Sequence, residues 1–217
     1  MTECEKLKEI AHLLIKNNYK EKELGLLAGK TGKIIFFFLY YQYTSKSIYK
    51  DFAEALLDDV CEELGDEIYF DYRKGLYGIG WGIDYLMHNQ FVSDESEDIF
   101  EELDNLLLNK FLTFIKRGYC KPKDIALYVI SRYSHENPKL IPAYQTGFIP
   151  ELIDAFNTYS RRDDTALIED SLRLIYEGNK FKCKHNFFLE NEIRRERKLN
   201  LVSEGLLLLL NNIKIYG

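Results

Sequence analysis

Two stretches of the sequence decide the fold: residues 25–41, GLLAGKTGKIIFFFLYY, and residues 75–87, GLYGIGWGIDYLM. Both open on a glycine and are apolar almost all the way round. A shift of fifty residues aligns their first glycines and also aligns Gly32 with Gly82, which indicates an internal repeat. Because a helix that is apolar on every side must be covered by its neighbours, each stretch is predicted to be an inner helix.

Amphipathic helices are predicted between and around these stretches. Thr2 and Glu5 have the spacing of a capping box, and apolar residues at three-and-four spacing continue that helix to about Asn17. The same spacing predicts a helix over 47–64, and another that follows the acidic first turn at 94–98. Further helices are predicted over 123–135, 149–160, 163–178, 187–198 and 201–214. No stretch shows the alternation of a strand bounded by hairpin turns, so the predicted class is all-α.

The order of the predicted helices suggests an architecture. Apolar inner helices that alternate with amphipathic outer ones predict concentric layers, as in an α/α toroid. Glycine suits the start of an inner helix, because it tolerates unusual backbone angles and a close approach of neighbours. Weaker echoes of the repeat occur at 146–153 and 204–210. The 217 residues are therefore predicted to form one domain over 1–217, a partial or shortened barrel of helical hairpins.

Composition and charge exclude several classes of function. The 29 Lys and Arg residues are outnumbered by 35 Asp and Glu, and the net charge of -6 opposes binding to nucleic acid. The longest apolar run, residues 34–41, is far shorter than the about 20 residues of a membrane span. The first ten residues lead into no apolar segment of a secretory signal. We therefore expect no membrane partner and a cytoplasmic location.

The segment GKTG at 29–32 superficially suggests a phosphate-binding loop. A Walker loop has four residues between its two glycines and follows a buried strand. Here Gly25 and Gly29, the glycines that precede Lys30 and Thr31, have only three residues between them and follow a polar helical stretch. Nucleotide binding is therefore not predicted.

The pairing of ELGLLAGKTGKIIFFFLYY with RKGLYGIGWGIDYL, followed by LNLVSEGLLLLL, resembles the lanthionine synthetase C-like family. Members of that family are α/α toroids with a glycine-rich start to each inner helix. The better-known members are zinc-dependent cyclases, which add a cysteine thiol of a peptide to a dehydrated serine or threonine. A typical member is much longer than this chain, so the resemblance implies a shortened relative.

The resemblance also implies which residues to look for at the zinc site. Two cysteines and a histidine hold the ion, which lowers the pKa of the incoming thiol. Where the last repeat of the family has Cys-His-Gly, this chain has Ser203-Glu204-Gly205. The Trp-Cys segment of the family finds its nearest counterpart in Tyr119-Cys120. The ligands are thus incomplete, and the resemblance implies a non-catalytic relative that binds a peptide or protein partner in peptide modification.

The cysteines offer no clear substitute for the missing ligands. Cys4, Cys61, Cys120 and Cys183 lie about sixty residues apart and form neither a CxxC pair nor a disulfide framework, so reduced thiols are expected. A site made of Cys120, Cys183 and His185 would match no standard zinc spacing. No metal and no other cofactor are predicted.

The second glycine stretch concentrates the candidate ligand-binding side chains, Arg73, Tyr77, Trp81 and Asp84. Trp81, the only tryptophan, is interpreted either as a flat platform for a ligand or as a plug in the centre of the toroid. Asp84 is interpreted either as a first-turn carboxylate that complements the helix dipole or as a polar group that faces a cavity. No residue is assigned a catalytic role.

Two alternative functions remain open. Toroids of this kind also host sugar hydrolases, whose paired carboxylates lie about 5–10 Å apart. The candidate carboxylates for such a pair are Asp71, Asp84 and Glu151. The other alternative is a structural module that forms a homodimer through a toroid edge left exposed by the missing hairpins.

Overall fold

The structure is a computed structural model of the chain. It describes residues 2–18, 22–27, 29–64, 70–92, 100, 104–105, 111–133, 147–159, 166–179 and 183–216. These residues form helices and turns without any β-strand, which confirms the all-α class. Nine helices have both ends in the described part: α1 (Glu3–Lys16), α2 (Lys30–Thr44), α3 (Ser47–Glu63), α4 (Leu76–His88), α5 (Pro122–Tyr133), α6 (Ile149–Tyr159), α7 (Ala166–Tyr176), α8 (His185–Arg194) and α9 (Leu201–Tyr216).

The chain divides into two compact units. The first unit combines residues 1–68 with residues 184–217 and contains α1, α2, α3, α8 and α9. The second unit is continuous, covers residues 69–183 and contains α4 to α7. A single domain over 1–217 remains a prediction.

In the first unit, α2 is the most deeply covered helix. Every residue from Lys30 to Tyr40 is buried, as the prediction of an inner helix requires. The hairpin partner α3 buries only one stripe, Ala53, Leu56 and Val60, and leaves its other side to solvent. Helix α9 packs against α2, and both α1 and α8 pack against α9.

The first helix begins as predicted. The Thr2 hydroxyl accepts a hydrogen bond from the Glu5 amide at 3.2 Å, and the Glu5 carboxylate accepts one from the Thr2 amide at 2.7 Å. This reciprocal capping box satisfies two amides that the helix leaves without partners of its own. The prediction of a helix from Thr2 to about Asn17 is confirmed.

In the second unit, α4 and α5 form the covered centre. Residues Tyr77 to Leu86 of α4 and Ile125 to Arg132 of α5 are buried. Helices α6 and α7 pack against α5 and against each other, each through one apolar stripe at three-and-four spacing. The sequence predicted α5 only as a further helix, and its burial on every side is a feature that the hydropathy pattern missed.

The structure corrects the register of the internal repeat. Helix α2 begins after Gly29 and α4 after Gly75, and both glycines are extended, with φ of -132° and -114°. Equivalent helix starts are therefore forty-six residues apart, not fifty, and Gly32 corresponds to Gly78. The shift of fifty was wrong because residues 25–27 lie in the turn before α2, whereas Gly75 is already the N-cap of α4.

Gly29 is required by a close approach. A Cβ atom at this position would overlap the Glu23 carbonyl oxygen and would lie 2.6 Å from the Gly25 amide nitrogen. The neighbours are backbone atoms, so no side-chain rotation could relieve the overlap. The glycine at the start of α2 is thus explained by packing of the preceding turn.

Two other predicted helices differ from the observed ones. The helix predicted over 187–198 is α8, which begins at His185 and already ends at Arg194, because the chain turns before α9. The helix predicted behind the acidic residues 94–98 lies mostly outside the described residues. Within that segment, Phe100, Asp104 and residues 111–116 are described and are helical.

None of the described helices combines the length and the apolar character that a bilayer crossing demands.

Candidate functional site

The predicted ligand-binding residues lie around the start and the middle of α4. Tyr77, Trp81 and Asp84 are 0% exposed, whereas Arg73 is exposed in the turn before the helix. In that turn the Asp71 carboxylate accepts a hydrogen bond from the Arg73 amide at 2.8 Å. Ligand binding by these side chains remains a prediction.

Trp81 is packed among aromatic rings. Its ring centroid lies 5.8 Å from that of Tyr72, edge to face, and 5.6 Å from that of Tyr85, in a stacked arrangement. Such pairs add to the stability gained from burial alone. Trp81 is thus enclosed by side chains of the second unit, and its interpretation as a plug in the centre of a toroid remains a prediction.

Asp84 occupies a position different from the one expected. It is the ninth residue of α4, and the helix dipole acts mainly within the first turn, so the dipole interpretation of Asp84 does not hold. Its carboxylate accepts a hydrogen bond from the Ser131 hydroxyl and lies 3.7 Å from the Arg132 guanidinium. Asp84 thus links α4 to α5 inside the second unit.

Arg132 is the centre of this buried network, although no sequence pattern singled it out. The side chain is 5% exposed, its Nη2 lies 3.1 Å from the Asp104 carboxylate, and its guanidinium carbon lies 3.8 Å from the centre of the Phe100 ring. The Tyr128 hydroxyl donates to the other Asp104 oxygen at 2.9 Å. Burial alone would lower the pKa of Arg132, but Tyr128, Asp104 and Asp84 together raise it.

The contacts of this network stabilise the packing of the second unit. One guanidinium faces two carboxylates, and a buried set of this kind is stable only while every charge keeps its partners. The same contacts hold the Asp84 carboxylate, and Asp71 accepts backbone hydrogen bonds from Arg73 and Lys74. Two of the three carboxylates considered for a sugar hydrolase are therefore engaged within the protein.

A second polar cluster lies where α4 and α5 begin. Tyr77 and Cys120 interact with each other and with the half-buried Asp124. Burial raises the pKa of Asp124 to about 6; the nearby Lys121 opposes this rise and Asp71 adds to it. The protein thus holds a carboxyl group that titrates between pH 5 and 7.

This carboxyl group predicts a pH-dependent effect of Asp124→Asn. In the unfolded chain the group titrates near pH 4, so above pH 6 the folded state carries a cost of about 1–3 kcal/mol for ionising it. We expect Asp124→Asn to raise the free energy of unfolding by this amount at pH 8, and the gain to disappear as the pH falls to 4. Urea unfolding at both pH values measures the difference.

The control for this prediction is Asp170→Asn, an exposed site on α7. It is expected to change the free energy of unfolding by no more than about 0.5 kcal/mol at either pH. Equal effects of Asp124→Asn at pH 4 and pH 8 would contradict the assignment.

The residues that the resemblance implies as counterparts of the zinc ligands do not fit a zinc ion. Ser203 is completely buried, and its hydroxyl donates a hydrogen bond to the Glu196 carboxylate. The Glu204 carboxylate lies 2.5 Å from the Lys6 ammonium. Zinc prefers a thiolate and an imidazole at these two positions. This chain has a neutral hydroxyl at the first and, at the second, a carboxylate that is already paired with a cation.

The buried cysteines of the second unit fit a metal no better. Burial raises the pKa of the Cys120 thiol to about 12, and burial together with Asp84 raises that of Cys183. Metal binding requires the thiolate, which these environments oppose. Within the described ranges, no three His, Cys, Asp or Glu side chains are grouped so that they could hold one metal ion.

The GKTG segment is also occupied by internal contacts. The amides of Lys30 and Thr31 donate to the carbonyl oxygens of Glu23 and Leu24 at 2.9 and 3.1 Å. The Lys30 ammonium lies 2.6 Å from the Glu63 carboxylate. A phosphate bound at a helix start would use these same donors, which already have acceptors within the protein.

A concave surface lies on the second unit between α6 and α7, and we call it the α6–α7 groove. Its volume is about 380 Å³, and it is open to solvent. The described residues that line it are Pro150, Ile153, Asp154, Asn157, Arg173, Tyr176 and Glu177. None of these residues was singled out from the sequence, because their significance depends on how the two helices pack.

Comparison of the chain with models of known protein families, with curated proteins and with solved structures found no match.

Proposed function

We propose that the chain is a shortened, non-catalytic relative of the lanthionine synthetase C-like family. In this proposal it is an α/α toroid in the cytoplasm that binds a peptide or protein partner during peptide modification. It forms no thioether and uses neither a metal nor another cofactor.

The repeated helix start supports the relationship. In each unit a helix begins after an extended glycine, carries a second glycine three residues later, and is buried along most of its length. The pairs are Gly29 with Gly32 and Gly75 with Gly78. In the first unit the amphipathic α3 covers the buried α2, which is the alternation that a toroid of helical hairpins repeats.

The contacts of Ser203 and Glu204 carry the non-catalytic part of the proposal. Ser203 donates to Glu196, and Glu204 is paired with Lys6, so both positions serve the packing of the first unit. Thiol activation in the family depends on a Lewis acid at this place. Side chains held in this way offer it no ligands.

A thiol-addition assay tests the proposal. The substrate is a short synthetic peptide with one dehydroalanine and one cysteine, incubated with the purified chain and equimolar ZnCl₂. We expect the free thiol, counted by alkylation and mass spectrometry, to disappear no faster than in buffer. Elemental analysis of the purified chain measures bound zinc in parallel, and we expect far less than one equivalent.

The contrary result is equally clear. Faster loss of the thiol with the protein present, abolished when a chelator removes one equivalent of zinc, would overturn the non-catalytic proposal. Ser203→Ala is the matched variant, since an enzyme that used this hydroxyl would lose its activity.

A further inference from the structure

We propose that the α6–α7 groove is the docking site for the peptide partner, and that it selects a segment in which a lysine or arginine stands beside an apolar residue. The inference rests on the proposed function, because it names the surface and the ligand chemistry of that binding. It follows from the shape, the charge and the aromatic side chain of the groove.

The shape of the groove follows from the packing of the two helices. Leu152 and Phe156 of α6 and Leu172 and Ile175 of α7 are buried in their apolar stripes, and the groove lies beside that packed seam. The half-buried side chain of Ile153 supplies apolar surface at the groove. A volume of about 380 Å³ suits a few side chains of a peptide rather than a large cofactor.

The charge of the groove favours a cationic ligand. Asp154 and Glu177 are exposed and place two carboxylates in its lining. Arg173 also lines the groove, but its Nε and Nη2 lie 3.2 and 2.6 Å from one Glu169 oxygen. Glu177 accepts a hydrogen bond from the Asn179 side-chain amide at 2.9 Å and keeps its negative charge. Among the described residues that line the groove, two carboxylates outnumber one guanidinium that is already paired with Glu169, and this excess of negative charge attracts basic segments and repels acidic ones.

Tyr176 adds a contact that suits the same ligand. The side chain is 51% exposed although it lines a concave surface. A lysine or arginine above an exposed tyrosine ring gains a cation–π interaction of about 0.5–1 kcal/mol. Asn157 supplies an amide that can both donate to and accept from a peptide backbone. The groove therefore favours a peptide segment with a basic and an apolar side chain, because it offers an aromatic face, two carboxylates and an apolar surface.

Fluorescence anisotropy with two labelled nonapeptides tests the inference. One peptide alternates lysine and leucine, and the other alternates glutamate and leucine. We expect the wild-type chain to bind the lysine peptide about tenfold more tightly or better. Asp154→Lys combined with Glu177→Lys should remove this preference, and Tyr176→Ala should weaken binding of the lysine peptide by about two- to fivefold.

Matched controls separate the groove from general charge effects. Glu151→Lys combined with Asp170→Lys makes the same change of charge on exposed residues of the same two helices outside the groove lining. Tyr159→Ala removes another exposed tyrosine of α6. Both controls should retain the preference for the lysine peptide, and urea unfolding verifies that every variant is folded.

Three outcomes overturn the inference. They are the same affinity for both peptides, the same loss in the groove and control variants, and no binding of the lysine peptide. A mass that rises with concentration in light scattering, and falls in the Asp154→Lys/Glu177→Lys variant, would assign the groove to a second copy instead. None of these results bears on thioether formation, so the proposed function and the inference fail separately.

Discussion

Replacing Arg132 by methionine is expected to lower the free energy of unfolding by about 3–5 kcal/mol. Methionine keeps an unbranched stem like that of arginine but leaves Asp84 and Asp104 buried without their shared cation. Taking a carboxylate out of water costs several kcal/mol when no opposite charge compensates. Urea unfolding monitored by circular dichroism at pH 7 measures the loss.

The control for Arg132→Met is Arg173→Met. Arg173 makes an exposed ion pair with Glu169 one turn away on α7, and such pairs contribute at most about 1 kcal/mol. We also expect Asp84→Asn and Asp104→Asn to recover part of the stability when added to Arg132→Met, because they remove the unpaired charges. Similar losses for both arginines, or no recovery, would show that the buried network is not held by its charges.

Replacing Gly32 by alanine is expected to destabilise the first unit by about 2–4 kcal/mol. Within a helix this substitution normally stabilises by up to about 1 kcal/mol, so the expected sign is reversed. A Cβ atom at Gly32 would overlap the Leu26 carbonyl oxygen and would lie 3.0 Å from Val202 of α9. The thermal unfolding midpoint should fall accordingly.

Two variants calibrate the effect of Gly32→Ala. At Gly205 the added Cβ would meet Phe36 at 2.5 Å and Ile10 at 3.1 Å, which are side-chain atoms rather than backbone, so we expect a smaller loss of about 1–2 kcal/mol. Gln42→Ala changes an exposed residue of α2 and should stay within about 0.5 kcal/mol of the wild type. A Gly32→Ala chain as stable as the wild type would contradict the close approach of the turn before α2.

The sequence predicted those parts of the fold that depend on local patterns. The capping box at Thr2 and Glu5 combines with apolar periodicity, and α1 begins where both indicate. The apolar stretches that supply most of α2 and α4 are long enough to be recognised as covered helices. In these elements local propensity and burial agree, so no knowledge of the partner helices is needed.

The register of the repeat could not be predicted in the same way. The second stretch has glycines at 75, 78, 80 and 82, and several shifts place them on the glycines at 25, 29 and 32. Only the position at which each helix starts selects one shift. That position depends on hydrogen bonds from the Lys30 and Thr31 amides back to Glu23 and Leu24 in the preceding turn, which helix periodicity does not encode.

The buried polar network of the second unit also could not be predicted from the hydropathy pattern. Arg132 ends an apolar run in α5, and hydropathy assigns an arginine at that place to the surface. It is buried because Asp84 and Asp104, 48 and 28 residues away in the sequence, compensate its charge. A lone aspartate inside the apolar α4 was the available signal, since a buried carboxylate requires a cation.

The discontinuous make-up of the first unit affects the order in which the protein folds during synthesis. Helices α2 and α3 leave the ribosome early, but α9, which covers α2, is translated only after all of residues 69–183. The surface of α2 that α9 buries therefore stays exposed in the nascent chain. By the time α9 is synthesised, the continuous second unit has already been translated. The nascent chain should need protection from aggregation chiefly through residues 30–40 until α9 has been made.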